Sequence, residues 1–246
     1  MRILIFGETC KDVFKYGECR RLCPDAPVPV FNLLNTVETY GMAKNVENNL
    51  RSLGTKTHLI TNNNYDQITK SRFIDNRTNH MFIRVDDGDD KYGVFDIDGL
   101  DFISFSEFDA VVVSDYNKGF LSTEVLEEIS KRHPLTIIDT KKILGSWANN
   151  FSFIKVNNSE FEANEKTLTK ALLKKMIITK GPHGCEYKGK TYSVKNVEVK
   201  DTSGAGDTFI AGLCYKMVET NSEDEAIEFA NECATKIVQR RGVSVI

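Results

Sequence analysis

Short apolar runs alternate with amphipathic segments over the second half of the chain. Continuous apolar runs predict strands that are buried on both faces, and they fall at Ala110–Val113, Leu135–Ile138, Phe153–Val156 and Met176–Thr179. Helical spacing is found at Ser122–Arg132, Ser159–Glu165, Thr208–Glu219 and Ser222–Arg241, the last with a capping box at Ser222-x-x-Glu225. Strands separated by helices predict an α/β protein with a central, mostly parallel sheet covered by helices on both faces.

The first half of the chain shows a second pattern, in which some strands are predicted to be half-exposed. Arg2–Phe6 and Thr57–Thr61 are predicted strands, and Ala43–Leu53 is a predicted helix that Gly54 ends. Alternation of apolar and polar residues predicts half-exposed antiparallel strands at Pro27–Leu33, Val37–Tyr40, Ser71–Ile74, Met81–Val85 and Tyr92–Ile97. These strands predict a small separate sheet that interrupts the large domain.

Composition and charge exclude several classes of protein. The 246 residues are 41% hydrophobic and 27% charged, which suits one large α/β domain or two small ones. A net charge of −3 gives no reason to expect nucleic-acid binding. No apolar run reaches the length of a membrane span and the N-terminus turns polar too soon for a signal peptide, so a cytoplasmic location is expected.

Cysteine and histidine spacing gives no support for disulfides or zinc. The six cysteines are scattered without a Cys-x-x-Cys, which favours reduced, mostly structural thiols. The four histidines show no ligand spacing. No Gly-x-x-x-x-Gly-Lys-Ser/Thr occurs, so a P-loop is excluded.

Polar residues that follow the apolar strands predict a cleft. In open parallel sheets, ligands bind beyond the carboxyl ends of the strands. Such clusters are Gly7-Glu8 with Asp12, Ser114-Asp115-Tyr116, Asp139-Thr140-Lys141, Asn157-Asn158-Ser159-Glu160 and Thr179-Lys180-Gly181. Together with the turn at Gly204–Asp207, they indicate a binding cleft at this edge of the sheet.

The most specific string is Asp201-Thr202-Ser203-Gly204-Ala205-Gly206-Asp207-Thr208-Phe209. Its Gly-Ala-Gly turn brings backbone N–H groups together at the start of a helix, which suits an anion such as a phosphate. Asp207 stands among these donors, where a carboxylate can take a proton from an attacking hydroxyl. The simpler interpretation is a tight strand-to-helix turn with an acidic N-cap.

Two further segments are compatible with nucleotide and metal binding. Asn157 and Glu160 can present an amide and a carboxylate around a hydrated Mg²⁺, although Ser159-x-x-Glu162 could instead be a capping box. The Gly-bounded turn from Thr179 to Gly184 either lines a nucleotide or only connects two strands.

With these residues assembled, the chain resembles the ribokinase/PfkB superfamily of carbohydrate kinases, over its whole length. Within it, the chain is most similar to the D-glycero-β-D-manno-heptose 7-phosphate kinases, the first domain of bifunctional ADP-heptose synthases. The strings that carry this resemblance are Tyr16–Val30 (Y-G-x-x-x-R-I-S-P-E-A-P-V-P-V in the family), Ser114–Gly119 (S-D-Y-x-K-G), Asn157–Ala163 (N-L-S-E-F-E-A), the lid segment from Thr69 to Asp86, and Arg241–Ser244.

The resemblance implies a role for each candidate residue. Asp207 would be the catalytic base, and Gly204, Ala205 and Gly206 would hold the transferred phosphoryl group. Asn157 and Glu160 would organise Mg²⁺, and Thr179, Gly181, Gly184 and Asn231 would lie near ATP. Asp12, Gly41 and Asn45 would face the sugar, and Lys70, Arg72 and Lys118 would bind a phosphate that the sugar already carries. The family also allows a monovalent cation as a further cofactor.

The resemblance further implies a single ribokinase-like domain over residues 1–246, with β-lid segments at about 13–40 and 69–98. Lids of this kind often pair across a two-fold axis, so a homodimer through the lid is expected, with a small sugar phosphate as the other partner. The expected reaction is ATP-dependent phosphorylation of the anomeric hydroxyl of a heptose 7-phosphate or a similar sugar phosphate.

Three departures from the family pattern leave alternatives open. The family's G-G-A-A-N is Gly41-Met42-Ala43-Lys44-Asn45 here, so Met42 removes backbone freedom and Lys44 adds a charge. A helix–strand unit expected after Thr61 is deleted. The chain could therefore be another sugar kinase of the superfamily, or a non-catalytic relative that binds sugar or nucleotide.

Overall fold

The computed structural model describes all residues from Met1 to Ile246 and contains two sheets. The strands are β1 (Arg2–Gly7), β2 (Thr9–Leu22), β3 (Pro29–Met42), β4 (Lys56–Ile60), β5 (Thr69–Asp75), β6 (Met81–Asp87), β7 (Ala110–Asp115), β8 (Thr136–Thr140), β9 (Phe153–Asn157), β10 (Met176–Thr179), β11 (Cys185–Tyr187) and β12 (Lys190–Tyr192). The helices are α1 (Ala43–Ser52), α2 (Thr123–Arg132), α3 (Asn158–Asn164), α4 (Lys170–Leu173), α5 (Ala205–Thr220) and α6 (Glu223–Ile237).

The larger sheet has eight strands in the order β12-β11-β10-β9-β8-β7-β1-β4. All its pairings are parallel except those that β11 makes with β10 and β12. Alternate side chains of β1 enter two different apolar layers: Ile3 and Ile5 pack with α1 and α5, and Leu4 and Phe6 lie in the layer that contains α2. The prediction of a mostly parallel sheet with helices on both faces is confirmed.

The smaller sheet, which we call the lid, has the order β3-β2-β5-β6. Strand β2 was absent from the sequence prediction because Thr9–Leu22 carries polar or charged residues on both faces and shows no apolar alternation. The predicted strands Pro27–Leu33 and Val37–Tyr40 are parts of the single strand β3. One face of the lid covers the carboxyl ends of the large sheet, and the opposite face points away from it.

The strand predicted at Tyr92–Ile97 is wrong. This segment contains no strand, and a 3₁₀ turn begins at Ile97, where Asp96 caps it by accepting a hydrogen bond from the Asp98 N–H at 3.1 Å. The Phe95 N–H donates to the Phe120 carbonyl at 2.8 Å, outside any strand, and its ring lies edge-on to those of Phe6 and Phe120, each at 5.9 Å. Of the apolar residues in this segment, Tyr92 is buried and Val94 is 78% exposed, so the alternation does not mark a strand here.

Strand β4 forms one edge of the large sheet and leads directly into the lid. Only residues 61–68 join β4 to β5, and they contain a single 3₁₀ turn, Tyr65–Gln67. The last predicted helix ends earlier than expected, at Ile237 instead of Arg241. None of the helices combines the length and apolar character that crossing a bilayer requires.

Candidate active site

The start of α5 forms a set of backbone donors at the carboxyl edge of the large sheet. Gly204, the N-cap residue, has φ 78° and ψ 0°, a left-handed conformation that favours glycine. A Cβ at this position would lie 2.7 Å from Asn45 Nδ2, so close packing also requires glycine. The N–H groups of Gly206 and Asp207 make no hydrogen bond within the chain and remain available to an anion.

Asp207 lies in the first turn of α5 and is 4% exposed. Its carboxylate accepts hydrogen bonds from Asn45 Nδ2 at 2.9 Å and from the Tyr116 hydroxyl at 2.8 Å. Burial raises the pKa of Asp207 to about 6, although both hydrogen bonds work in the opposite direction. A carboxylate that is held in place and has a pKa near neutrality is suited to act as a general base.

Tyr116 is a neighbour of Asp207 whose role the sequence did not assign. Desolvation and the nearby Asp207 raise the pKa of Tyr116, so its hydroxyl stays protonated and donates to the carboxylate. The Tyr116 ring lies 5.6 Å from Lys70 Nζ and 5.6 Å from Lys141 Nζ, within the range of cation–π attraction. The sequence signals were its place directly after β7 and its position in the Ser114–Gly119 string that carries the family resemblance.

On the lid side, Asp207 faces a cleft of about 350 Å³ that is rich in cationic side chains. Its polar walls include Asp12, Lys70, Arg72, Arg84, Lys118 and Lys141. Arg72 pairs with Asp12, and Lys118 pairs with Asp89. Gly41 is required beside Asp12, because a Cβ there would lie 2.0 Å from Asp12 Oδ2. Five of the six predicted substrate residues therefore surround or support this cleft, and Asn45 holds Asp207.

Lys70 differs from the other cations of the cleft because it has no carboxylate partner. It is 6% exposed, and its only hydrogen-bond contact is the Met42 thioether sulfur, 3.6 Å from Nζ. A thioether is a weak acceptor, so most of the hydrogen-bonding capacity of this buried ammonium is unused. Buried charges are normally paired, so the Lys70 ammonium is available to an anionic ligand of the cleft.

On the opposite side of the α5 start lies a second cavity, of about 240 Å³. It is lined by the four residues predicted to contact a nucleotide, Thr179, Gly181, Gly184 and Asn231, together with apolar side chains such as Val197, Phe209 and Val238. Asn231 Nδ2 donates to the Tyr192 carbonyl at 3.0 Å, and a Cβ on Gly184 would lie 2.0 Å from that same oxygen. The chain thus brings these residues together around one mostly apolar pocket.

Asn157 and Glu160 form the capping box of α3. Asn157 Oδ1 accepts the Glu160 N–H at 2.9 Å, and Glu160 Oε2 accepts the Asn157 N–H at 2.8 Å. The alternative capping box at Ser159 and Glu162 is therefore wrong, because the helix is capped two residues earlier, at Asn157 and Glu160. Glu160 also pairs with Lys141, which lies 3.5 Å from Asp139 and shares that carboxylate with Lys155.

Lys155 is the functional candidate that sequence reasoning missed entirely. It occupies the interior of β9, is 4% exposed, and pairs with Asp139 at 2.7 Å. A Cβ on Gly206 would lie 3.0 Å from Lys155 Nζ, so the ammonium lies against the glycine turn. Burial alone would raise the pKa of Asp139, but Lys155 and Lys141 lower it below its ordinary value, so this carboxyl is ionised.

The donor set near α3 is compatible with magnesium. The structure contains no cluster of three or more His, Cys, Asp and Glu side chains that could hold a metal, but Mg²⁺ usually takes only one or two carboxylates, several waters and substrate phosphates. Asn157, Asp139 and Glu160 supply hard oxygen donors beside the cavity that joins the two pockets.

The charge of Lys44 does not reach the cleft. Its Nζ pairs with Glu47 Oε2 at 2.5 Å, and the same buried carboxylate pairs with Arg51 at 2.7 Å. This departure from the family pattern therefore belongs to a polar cluster on α1 and leaves the site unchanged.

Comparison with known proteins agrees with this geometry. Residues 41–245 match the family described as "pfkB family carbohydrate kinase". The "Bifunctional protein HldE" of Helicobacter pylori strain J99 is 31% identical over 293 aligned positions, which cover 98% of this chain and 63% of that protein. The corresponding protein of Aliarcobacter butzleri is 27% identical, again over 98% of this chain and 61% of its own length.

Solved structures with the same fold include two ribokinases. The Arabidopsis thaliana ribokinase complexed with ribose and ATP gives a TM-score of 0.72 at 16% identity, covering 98% of this chain and 93% of that one. The Thermotoga maritima ribokinase gives 0.73 at 17%, covering 98% and 94%. The fold and the site thus define a ribokinase-like enzyme. The chain belongs to the pfkB family and is a carbohydrate kinase.

The alignments also show that this chain is shorter than the matching part of its relatives. The aligned length of 293 positions exceeds the 246 residues present, so the relatives carry residues that this chain lacks. The chain spans somewhat less than two thirds of the length of these relatives. The deletion that the sequence predicts after Thr61 would fall in the eight-residue connection between β4 and β5.

Asp207→Asn is expected to change stability in a pH-dependent way. Because the folded-state pKa of Asp207 is raised, ionising it opposes folding, and the wild-type protein loses stability as the pH rises from 3.8 through about 6. Asn binds no such proton. The unfolding free energy of the variant minus that of the wild type should therefore rise across this window by about 2–3 kcal/mol, at about 1.36 kcal/mol per pKa unit.

Urea unfolding at several pH values between about 4 and 8 measures this difference. The variant Asp25→Asn, which changes an exposed aspartate, controls for the loss of one carboxyl charge. A difference between Asp207→Asn and wild type that stays constant with pH would show that the carboxyl is not perturbed by burial.

Proposed function

We propose that this kinase transfers the γ-phosphoryl group of ATP to a hydroxyl group of a sugar that already carries a phosphate. The observation that carries this proposal is that two buried charged groups face the same cleft and that neither has an ionic partner within the chain. Asp207 is a desolvated carboxylate without a cationic partner, and Lys70 is a buried cation without an anionic one. A sugar phosphate supplies what each lacks, a hydroxyl proton for the base and an anion for the ammonium.

In the proposed reaction, the sugar hydroxyl oxygen attacks the γ-phosphorus of ATP. A new O–P bond forms, the bond from the γ-phosphorus to the bridging β–γ oxygen breaks, ADP leaves, and the hydroxyl proton passes to Asp207. Asn45 and Tyr116 hold the carboxylate in position by donating to its two oxygens. The free N–H groups at the start of α5 would stabilise the charge on the transferred group.

The nucleotide is assigned to the cavity that contains Thr179 and Asn231, because it opens onto the same glycine turn from the other side. Lys155 and Lys141 lie where this cavity meets the cleft, so their charges would offset those of the phosphates. Asn157 and Glu160, with Asp139, would hold Mg²⁺ through its waters. When bound, Mg²⁺ neutralises phosphate charge as the bond to the leaving group breaks.

The bifunctional relatives suggest a heptose 7-phosphate or a similar substrate, with the anomeric hydroxyl as acceptor. The cationic cleft supports the phosphorylated form over a free sugar, because Lys70, Arg72, Lys118 and Arg84 surround it. Met42 on the cleft wall favours a second candidate, a related pfkB kinase acting on a different sugar phosphate.

Turnover tests the proposal directly. With ATP and Mg²⁺, we expect ADP release with a heptose 7-phosphate or a hexose phosphate. We expect only weak ADP release with unphosphorylated hexoses. Asp207→Asn should lower the rate by on the order of 10²–10⁴, because it removes a positioned base, and leave nucleotide binding largely intact. The control is again Asp25→Asn. Wild-type turnover in the Asp207 variant would refute the assignment of the base.

Replacing Lys70 and Arg72 together by Gln should raise KM for a phosphosugar at least about tenfold more than for its unphosphorylated counterpart. A hydrogen bond to a charged group contributes about 1.5–3 kcal/mol, and that contribution is lost only by the phosphorylated substrate. Steady-state kinetics with both substrates measures the effect.

Two further variants make this test specific. Arg72 also pairs with the buried Asp12, so Lys70→Gln alone separates phosphate binding from the disturbance of that carboxylate. Lys15→Gln removes a cation from β2 on the opposite face of the lid, where its Nζ lies 4.9 Å from the Phe73 ring. Equal effects of Lys70→Gln on both substrates would contradict the phosphate subsite.

We further propose that the lid forms a homodimer through its outer face, defined by Phe31, Leu33, Phe73, Phe82, Ile83 and Val85. Three phenylalanines of this face pack edge-on, with Phe31 at 5.4 Å from Phe73 and 5.9 Å from Phe82. Leu33 and Ile83 are more than half exposed, at 55% and 57%. An apolar sheet face with β3 as a long open edge is stabilised when a second copy covers it.

Light scattering at micromolar concentration should give twice the 27.8 kDa monomer mass. Leu33→Asp with Ile83→Asp should yield a monomer, because two carboxylates would be buried without partners. Phe102→Asp, which removes an apolar side chain that is 90% exposed outside the lid, should leave the dimer intact. A monomeric wild-type protein, with and without nucleotide, rules the dimer out.

A further inference from the structure

Met42 has a backbone conformation that residues other than glycine rarely adopt. It ends β3 and forms the N-cap of α1 with φ 61° and ψ −133°. Its neighbours hold it there, because the Ala43 N–H donates to the Glu8 carbonyl at 2.9 Å and Gly41 packs against Asp12. A strained residue that the surrounding structure fixes in place is a candidate for a functional role.

The Met42 side chain occupies the cleft wall. It is 4% exposed and lines the cleft that contains Asp207 and Lys70. Its sulfur lies 3.6 Å from Lys70 Nζ and 3.6 Å from the buried Tyr92 hydroxyl. The thioether therefore lies between the unpaired Lys70 ammonium and the loop that carries Tyr92, on the wall of the cleft.

We propose that Met42 is a specificity-determining residue, which sets how large a sugar phosphate the cleft accepts. The inference rests on the proposed kinase function and adds the residue that limits substrate size. The side chain fills the space beside Lys70, so the phosphate and the carbon that carries it must lie closer to Asp207 than they would if glycine stood at position 42. The cleft therefore accepts longer sugar phosphates less readily than it would with glycine at position 42.

The proposed size limit explains why a residue other than glycine occupies this strained backbone position. Glycine would adopt the same backbone without steric cost, so the fold alone gives no reason for a long side chain there. The side chain also leaves Lys70 free for an anion, because a sulfur atom contacts the ammonium without neutralising it. Met42 thus narrows the pocket and preserves the charge that binds the phosphate.

The test compares the binding of heptose 7-phosphate and hexose 6-phosphate to wild type and Met42→Gly. Calorimetry in the presence of a non-hydrolysable ATP analogue gives the ratio of the two dissociation constants, and ADP release gives the ratio of kcat/KM. Met42→Gly should shift both ratios toward the heptose by at least about tenfold, the lower end of the 10–200-fold that one methylene contributes in an apolar pocket. If the Met42→Gly variant does not fold, Met42→Ala takes its place, and both ratios should again shift toward the heptose.

Met42→Leu is the matched control, because it keeps the volume and removes the sulfur, and its ratios should stay within about threefold of wild type. Folded Gly or Ala variants with wild-type ratios would overturn the inference, as would a failure of all the proteins to bind either sugar phosphate. Binding ratios that shift as expected without any ADP release would support Met42 as the size limit and refute only the kinase reaction proposed above.

Discussion

The requirement that buried charges be paired organises this protein. Eight acidic or basic side chains are buried, and five of them form ion pairs within the chain: Asp12, Glu47, Asp115, Asp139 and Lys155. A sixth, Glu8, accepts the N–H groups of Tyr116 and Lys118. Only Lys70 and Asp207 lack an ionic or backbone partner of this kind, and both face one cleft. Because uncompensated buried charge is costly, these two groups are the ones in the cleft that remain free to interact with a ligand.

The elements best predicted from sequence are those whose burial leaves an unambiguous pattern. Val111–Val113 and Ile177–Ile178 are apolar without interruption because helices cover both faces of their strands, and the sheet follows from them. Strand β2 left no such pattern, because its cleft face carries Asp12 and its opposite face carries Lys11 and Lys15. With polar residues on both faces, the sequence had no periodicity that could reveal the strand.

The site shows the same division. The place of Asp207 and of the Gly204–Gly206 turn at the start of a helix could be predicted, because the pattern that defines it lies in consecutive residues. Lys155 could not, because a lysine inside an apolar strand acquires meaning only beside Asp139, which the parallel pairing of β8 and β9 brings to 2.7 Å. The positioning of Asp207 by Tyr116 likewise depends on two residues that only the tertiary structure brings together.

The contact between Asn45 and Asp207 joins residues 162 positions apart. All strands of the lid and of the large sheet are therefore translated before Asp207, since the last strand ends at Tyr192. Helix α5 also supplies much of the apolar layer against α1, so that face of the sheet stays uncovered until late in synthesis. A translation product that stops before α5 would carry the cationic cleft wall without Asp207 and would expose the apolar layer that α5 covers.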